Sequence, residues 1–447
     1  MDERITRRNF IKKSSLGGAG ITLGVTAMTA KSYANIPGAN DRLNFAVAGV
    51  RSRGASHIDS LSVSDNVMVT HVCDVDKRYL DKATEQVTKK FGQQPKGEKD
   101  IRKLLENKDI DAITIATPDH WHAPMAILGL EAGKHVYLEK PSSHNPAEGD
   151  LLLKARQKYK PLLIQMGNQQ RSSAHTIEAM EKIHGGEIGT VYMGKAWYSD
   201  DRKSIGIGKS VPVPEYVDWD LWQGPAPRKP YKDNIHPYNW HWFWHWGTGE
   251  ALNNGTHEVD LCVWALQVKF PNKISSTGGR YHYHDDWEFY DTLITTFDYD
   301  DKMISWEGKC CNNMQYYGRG RGVTIHGTKG TVLIDRNGYE MYNNNGKKTF
   351  EFVNSQHQKE DTGKQGGGPM TDVHFANFIN AIRTGEKLHS PIEEGQITVT
   401  MLLLSNIAWR TGNVLEIDPS NGHILNDKLA MELLWGRTYE PGWEPVV

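Results

Sequence analysis

Between Leu43 and Gln165 short apolar runs alternate with helical stretches, and nothing else in the chain restricts its fold as much. The runs are Asn44 to Gly49, Val67 to Asp74, Ile110 to Ala116, His135 to Glu139 and Leu162 to Met166. Amphipathic segments such as Asp76 to Phe91 and Pro146 to Tyr159 separate them. Strands alternating with helices of this length build βαβ units, and near-continuous apolar strands are those of a parallel sheet buried on both faces. The expectation is an α/β protein with a doubly wound parallel sheet over residues 41–166.

A sheet of this kind binds ligands at the carboxyl ends of its strands. Val136-Tyr137-Leu138-Glu139-Lys140-Pro141 ends an apolar run in Glu-Lys-Pro, and proline cannot continue the ladder, so Glu139 and Lys140 fall at that edge. The first run ends in Gly49-Val50-Arg51-Ser52-Arg53-Gly54, a GxGxxG pattern with Arg51 in place of the middle glycine. Such a turn presents backbone N–H groups and a helix N-terminus to a pyrophosphate. Asp74, ending the second run, is placed to accept from ribose hydroxyls, which favours NAD, or to cap the helix that follows. Arg51 and Arg53 are equally placed to meet a 2′-phosphate, so NADP stays open. Thr117-Pro118-Asp119-His120-Trp121-His122 follows another strand at the same edge and contributes Thr117, Pro118, His120 and His122 as candidate cofactor contacts. Asn168-Gln169-Gln170-Arg171 follows the last strand, with Gln169 toward the cofactor and Asn168 and Arg171 toward a substrate; a merely solvated loop is the alternative.

With 447 residues, 38% of them hydrophobic, the chain can bury two sizeable cores. A second domain over residues 167–447 is expected as an open, largely antiparallel sheet from Ile274 to Ile334 with helices on one face, Tyr281-His-Tyr-His being one of its strands. Helices are predicted near Ala174 to His184, Thr256 to Leu266, Asp372 to Thr384 and Gly395 to Arg410, and a polar Gly-rich loop from Phe352 to Pro369. The net charge of −2 argues against a nucleic-acid binder. Four cysteines without zinc spacing imply no disulfide framework. The 14 Trp and 18 Tyr concentrate partly in Tyr238-Asn-Trp240-His241-Trp-Phe-Trp244-His245-Trp246. There Trp240 can stack on a sugar ring and His241 and His245 can bond hydroxyls, or the rings can simply plug a domain junction. His241, His245 and His257 lack the carboxylate or cysteine partners of a zinc site, and no metal is expected.

The N-terminal Thr6-Arg7-Arg8-Asn9-Phe10-Ile11-Lys12, an apolar Gly-rich run to Ala30 and Ser32-Tyr33-Ala34 form a twin-arginine signal with a cleavage site, residues 1–34. A chance Arg-Arg before a buried helix, or an uncleaved anchor, is the alternative. An exported, periplasmic enzyme without a stable membrane span is expected, and the twin-arginine route carries folded proteins with their cofactor loaded.

The Gly-rich turn, Cys73-Asp74-Val-Asp, Thr117-Pro118-x-x-x-His122, Glu139-Lys140-Pro141 and Gly247-Thr-Gly-Glu-Ala-Leu-Asn253-Asn-Gly255-Thr-His257-Glu-Val-Asp260 together resemble the glucose–fructose oxidoreductase / inositol dehydrogenase / MocA (Gfo/Idh/MocA) family from Leu43 to the C-terminus. The resemblance implies a Rossmann domain, Lys140 near the nicotinamide and the substrate hydroxyl, His257 as general base, and a dimer or tetramer. Asn253 stands where sugar-alcohol dehydrogenases of the family usually carry Asp. It can orient His257 four residues on but brings no charge.

The expected activity is NAD(P)-dependent oxidation or reduction of a secondary alcohol in a carbohydrate or polyol, with a tightly held cofactor. One alternative is a redox-assisted glycosidase, which transiently oxidises C3 of a glycoside so that the aglycone leaves by elimination. The other is an inactive sugar- or nucleotide-binding protein.

Overall fold

Six strands form a parallel sheet in the order β3-β2-β1-β4-β5-β6. They are β1 (Leu43–Ala48), β2 (Val67–Cys73), β3 (Lys96–Glu98), β4 (Ala112–Ile115), β5 (His135–Leu138) and β6 (Ile164–Met166). Phe45, Ala46, Val47 and Ala48 on β1 and every residue of β4 are buried, as a sheet covered on both faces requires. The chain order reverses between β1 and β4, and there the strand ends open a crevice. β3 escaped sequence prediction because Lys-Gly-Glu carries no apolar residue; it pairs at the sheet edge with β2. The computed structural model describes residues 42–353 and 368–447. The twin-arginine pattern and most of the predicted Gly-rich loop lie outside the described residues.

Turn chemistry places the crevice. Gly49 has φ +75°, and a Cβ there would lie 2.6 Å from the Ala116 carbonyl, so the turn after β1 and the one after β4 touch backbone to backbone. A Cβ on Gly54 would stand 1.9 Å from the Gly49 oxygen, so the helix Ser52–Ser62 closes tightly on the strand end. Arg51, between them, needs no glycine conformation: its φ is −69°. Asp76, not Asp74, caps the helix Lys77–Phe91, accepting from the Arg78 backbone N–H.

The second sheet has nine strands in the order β14-β13-β12-β11-β7-β10-β9-β8-β15. In chain order these are β7 (Val191–Ser199), β8 (Lys273–Gly279), β9 (Thr292–Asp298), β10 (Met303–Lys309), β11 (Arg321–Gly327), β12 (Gly330–Ile334), β13 (Gly338–Asn343), β14 (Lys348–Val353) and β15 (Leu415–Glu416). All neighbours pair antiparallel except β7 with β10, which are parallel. Tyr281 to His284, expected as a strand, instead lie in the β8–β9 connection. The Asp291 carboxylate accepts the backbone N–H groups of Tyr281 (2.8 Å) and His282 (3.0 Å), taking them out of any ladder. One face of the sheet is covered by the helix Thr256–Leu266, seated against β7 where a Cβ on Gly194 would meet Cys262 at 2.9 Å.

Two late helices tie the sheets together. Ile392–Thr411, buried almost all round, packs against β6, β8, Pro146–Lys158 and Thr256–Leu266, which is why its sequence lacks a polar stripe. Pro369–Thr384 returns to the parallel sheet: Phe375 stacks on Tyr137 at 4.1 Å and Phe378 meets Phe45 edge-on at 6.3 Å. The core of the first sheet is thus completed by residues more than two hundred positions downstream. Residues 43–447 form one compact unit.

Candidate active site

A cavity of about 870 Å³ opens where the carboxyl edge of the parallel sheet faces β7, β11 and the start of the helix Thr256–Leu266. From the first half it is lined by Arg51, Ser52, Arg53, Thr117, Pro118, His122, Glu139, Lys140 and Gln169, and from the second by Trp240, His241, Asn253 and His257. Residues distant in sequence therefore share one chamber.

Lys140 reaches across the chamber. Its Nζ donates to the Asn253 carbonyl at 2.6 Å and lies 3.4 Å from Asn253 Oδ1. Burial pulls the ammonium below its ordinary value of 10.5, while Glu139 and Asp119 oppose that shift. His257 is 7% exposed, and its buried Nδ1 has no hydrogen-bond partner among the described residues. Burial, and after it the Lys140 charge, holds its pKa well below 6.5. A neutral imidazole with an unengaged lone pair beside a lysine ammonium is what deprotonation of a bound hydroxyl requires.

Asn253 does not orient His257. It lies in a π-turn, Ala251–Gly255, whose wider pitch departs from the i, i+4 geometry of an α-helix. Its Nδ2 instead lies 3.5 Å from Glu250 Oε1, and its backbone and side-chain oxygens face Lys140.

Glu139 is the anchor beneath the chamber. It accepts from Arg53 Nε at 2.6 Å and Gln169 Nε2 at 3.2 Å, with His57 Nε2 at 3.1 Å. Burial would raise its pKa, but the Arg53 charge and the His57 hydrogen bond outweigh it and hold the carboxyl well below 4.5. Arg53 and Gln169 are thereby fixed in the wall, an effect that the Glu-Lys-Pro pattern alone does not show.

Several predicted contacts lie elsewhere. His120 is buried with Nε2 3.0 Å from the Trp222 carbonyl, and His245 Nε2 faces the Pro227 carbonyl at 2.7 Å. Arg171 is locked to Asp260 at 2.7 Å and to Glu394, which makes it a strut between helices. The Asn168 side chain is buried off the cavity. These four do not line the chamber: core contacts claim the polar atoms of His120, His245 and Arg171, while the buried Asn168 amide has no partner among the described residues. His122 lines it but faces the Pro141 and Thr117 carbonyls with its two nitrogens at 2.5 and 2.8 Å, bracing the turn. Trp240 and His241 stack at 3.6 Å in the wall, and burial pushes the His241 pKa to about 3.

Sequence reasoning missed Asp119, Tyr198, Arg202, Arg319, Arg321 and Asp335, all of which line the chamber. Asp119 accepts from Thr248 Oγ1 at 2.5 Å, and burial pushes its pKa up. It stood inside a motif whose histidines drew notice; the others come from strands and loops whose register no local pattern reveals. The arginines carry acidic partners: Arg202 meets Glu250 at 2.7 Å, Arg319 meets Asp335 at 2.6 Å, and Arg321 meets Glu258 at 2.8 Å. Of these carboxylates Asp335 lines the chamber, while Glu250 and Glu258 are buried behind their arginines.

The residues fit a dinucleotide. The helix Ser52–Ser62 has no side-chain cap on its N-terminus, Ser52 and Arg53 at its start line the chamber, and the buried Thr117 hydroxyl has no partner among the described residues. Uncapped N–H groups at a helix start bind phosphate. Asp74 accepts the Val50 and Asp76 N–H groups, each at 2.9 Å, and burial raises its pKa to about 6.

Comparison with known proteins agrees. Residues 43–166 match the model of the oxidoreductase family's NAD-binding Rossmann fold, and residues 213–406 match that of the family's C-terminal α/β domain. The chain belongs to the Gfo/Idh/MocA oxidoreductase family. It is an enzyme family with an NAD-binding domain, and NAD is the cofactor class. An α-N-acetylgalactosaminidase of Tannerella forsythia is 28% identical over 85% of this chain and 88% of that protein. A glycosyl hydrolase family 109 protein of Saccharopolyspora erythraea is 29% identical over 46% of this chain and 48% of its own length. The chain thus spans about half the length of that relative, and 34% of a second family 109 protein, from Shewanella pealeana. Among solved structures, the aldose–aldose oxidoreductase of Caulobacter crescentus complexed with glycerol superposes with a TM-score of 0.63 over 84% of this chain and all (100%) of its own, at 16% identity. The WlbA dehydrogenase of Bordetella pertussis with NADH and UDP-GlcNAcA gives 0.62 at 19% identity, over 84% and 99%. These likenesses share the fold.

Proposed function

We propose that this enzyme oxidises a secondary ring hydroxyl of a carbohydrate, with His257 as the base and Lys140 as the electrostatic partner. The observation that carries the reading is the facing pair itself: an unengaged neutral imidazole and a lysine ammonium in one chamber. NAD bound at the Gly-rich turn supplies the hydride acceptor. The Lys140 ammonium stabilises negative charge developing on the substrate oxygen, and a His257 nitrogen takes the hydroxyl proton. Arg202, Arg319, Arg321 and Asp335 on the opposite wall offer donors and an acceptor that suit neighbouring sugar hydroxyls.

We infer further that the oxidation is transient and the net reaction is glycoside hydrolysis. The favouring observation is the Tannerella forsythia relative, an α-N-acetylgalactosaminidase aligned along most of both chains. In that reading the sugar is oxidised at C3, the C2 proton becomes acidic, the aglycone leaves by elimination, water adds, and the ketone is reduced again. The twin-arginine pattern supports export, where a retained cofactor serves better than exchange with a free pool. Exposed Tyr192 and Ile294, at 47% and 48%, support association of copies through the second sheet, which light scattering tests.

The test is to purify the protein without added nucleotide and supply p-nitrophenyl N-acetyl-α-galactosaminide in D2O. Release of nitrophenol with deuterium at C2 of the sugar, and no net NADH, supports hydrolysis. Stoichiometric NADH with an oxidised sugar supports a simple dehydrogenase. No turnover of any glycoside or polyol contradicts both.

A further inference from the structure

β4 and β5 are neighbours in the parallel sheet, with Ile115 paired to Leu138, so the turns after them leave the sheet side by side. Asp119 opens the helix Asp119–Glu131 after one turn, and Lys140 stands on the other. His122, on that helix, joins the two turns through the Pro141 carbonyl at 2.5 Å. Asp119 and Lys140 both line the chamber, and both grip the same short segment of the second half. Asp119 Oδ2 accepts from the Thr248 hydroxyl at 2.5 Å, and Lys140 Nζ donates to the Asn253 carbonyl at 2.6 Å. Thr248 is held from the far side as well, its carbonyl accepting from Asn406 Nδ2 at 2.8 Å. The stretch that leads into the π-turn and on to His257 is pinned at both ends.

The Lys140 ammonium touches only the neutral oxygens of Asn253, and a charge withdrawn from water needs an opposite charge close by. Four carboxylates among the described residues line the chamber, and three are engaged elsewhere. Glu139 holds Arg53, which opposes at Lys140 the effect that Glu139 exerts there. Asp335 holds Arg319 at 2.6 Å and the backbone N–H groups of Asn337 and Gly338. Asp200 accepts from the Tyr198 hydroxyl at 2.9 Å and lies 3.9 Å from Arg202. Asp119, only 4% exposed, makes no ion pair among the described residues. The titratable and charged groups facing Lys140 are Glu139 beside it, Asp119 after β4, Arg53 after β1, Arg321 on β11, and His257 and His241, which burial keeps neutral.

We propose that Asp119 is the counter-charge of Lys140, a positioning residue whose carboxylate keeps the lysine an ammonium and holds it toward the Thr248–Asn253 segment. The proposal deepens the reading that Lys140 stabilises charge on the substrate oxygen and rests on it. Burial by itself favours the neutral amine, which cannot stabilise an alkoxide; a carboxylate on the adjoining turn offsets that loss. The Thr248 hydroxyl, donating to the carboxylate, favours its ionised form.

The test reads the charge of Lys140 without turnover. Full-length protein loaded with NAD is pulse-labelled with acetic anhydride across a pH series, and acetylation at Lys140 is followed by mass spectrometry. Only the neutral amine reacts, so the midpoint reports its ionisation. Asp119→Asn keeps the shape and can still accept from Thr248, but it removes the negative charge, which shifts the balance toward the amine. Its midpoint should fall by at least about one pH unit, with nucleotide content unchanged. Asp119→Ser, equally uncharged, should show the same fall and decides if Asp119→Asn does not fold. Thr248→Val removes the hydroxyl and keeps the carboxylate, so its midpoint should stay near wild type. An unmoved midpoint in a folded, uncharged variant overturns the proposal, and so does an equal fall in Thr248→Val, which would make the contact a structural pin alone. The chemical role of Lys140 is judged separately: turnover retained in Lys140→Met removes that reading, while the labelling midpoints still judge the counter-charge.

Discussion

The two walls of the chamber are built on opposite principles. On the cofactor side, backbone does most of the work: Gly49 and Gly54 permit a close turn, an uncapped helix start faces inward, and Glu139 holds Arg53 and Gln169 in place. On the substrate side, side chains do it: Arg202, Arg319 and Arg321 each hold a carboxylate, brought together from β7, β11 and their loops. Backbone sites tolerate side-chain drift but not a Cβ in the wrong place, whereas ion-paired walls can be retuned one residue at a time. The first wall therefore suits the cofactor class, and in the proposed function the second selects the sugar.

The bridge between the walls should show the largest effect. Lys140→Met and His257→Ala should each lower kcat by about 10²- to 10⁴-fold with nucleotide binding retained, measured by turnover and by nucleotide content. Near-normal kcat in either variant would remove that residue from the chemistry.

A second prediction separates struts from wall. Arg171 is 4% exposed and paired to a buried Asp260, so Asp260→Ala leaves the buried guanidinium only the half-exposed Glu394 and should cost about 3 kcal/mol in denaturant unfolding. The activity of the folded fraction should stay close to wild type. Loss of sugar affinity without loss of stability would return Arg171 to the substrate.

Within the substrate wall, Arg321→Lys keeps the charge but loses the paired contact to Glu258, 2.8 and 2.9 Å through Nε and an Nη. It should raise KM about ten-fold, or about 1.4 kcal/mol, with kcat little changed. A change confined to kcat would place Arg321 in the chemical step instead.

The smallest effect is in pH dependence. In the proposed mechanism His257 acts as the neutral base and Lys140 as the ammonium, and burial lowers both pKa values. Activity should therefore hold as pH falls to below 6.5 and fail on the alkaline side before 10.5, as Lys140 loses its proton. Lys140→Arg should displace the alkaline limb upward in whatever activity remains.

The same contrast explains what was legible in the sequence. The Rossmann half could be read because its signals are local: apolar runs give the strands, and Gly49, Asp74 and Lys140 sit at their ends. The helix expected near Thr256 to Leu266 forms over Thr256–Leu266. His257 and Lys140 came from motif resemblance, and the structure brings them into one chamber. What the sequence could not give depends on register and long-range closure. Arg319 and Arg321 are ordinary surface-like arginines until β11 pairs with β7, and Phe375 is an anonymous helix residue until it stacks on Tyr137. Arg171 and His245 look like site residues in a polar or aromatic stretch, because nothing local names Asp260 or the Pro227 carbonyl as their partners. The π-turn that redirects Asn253 likewise has no distinct sequence pattern.

The most direct test of the central claim is to give the NAD-loaded enzyme a sugar carrying deuterium at the ring carbon to be oxidised, to denature the protein rapidly during turnover, before the deuteride returns to the ketone, and to analyse the reduced nucleotide by mass spectrometry. The account predicts that deuterium appears in the nucleotide with wild type and is lost with Lys140→Met and His257→Ala. Turnover of the labelled sugar with no deuterium reaching the nucleotide would contradict it.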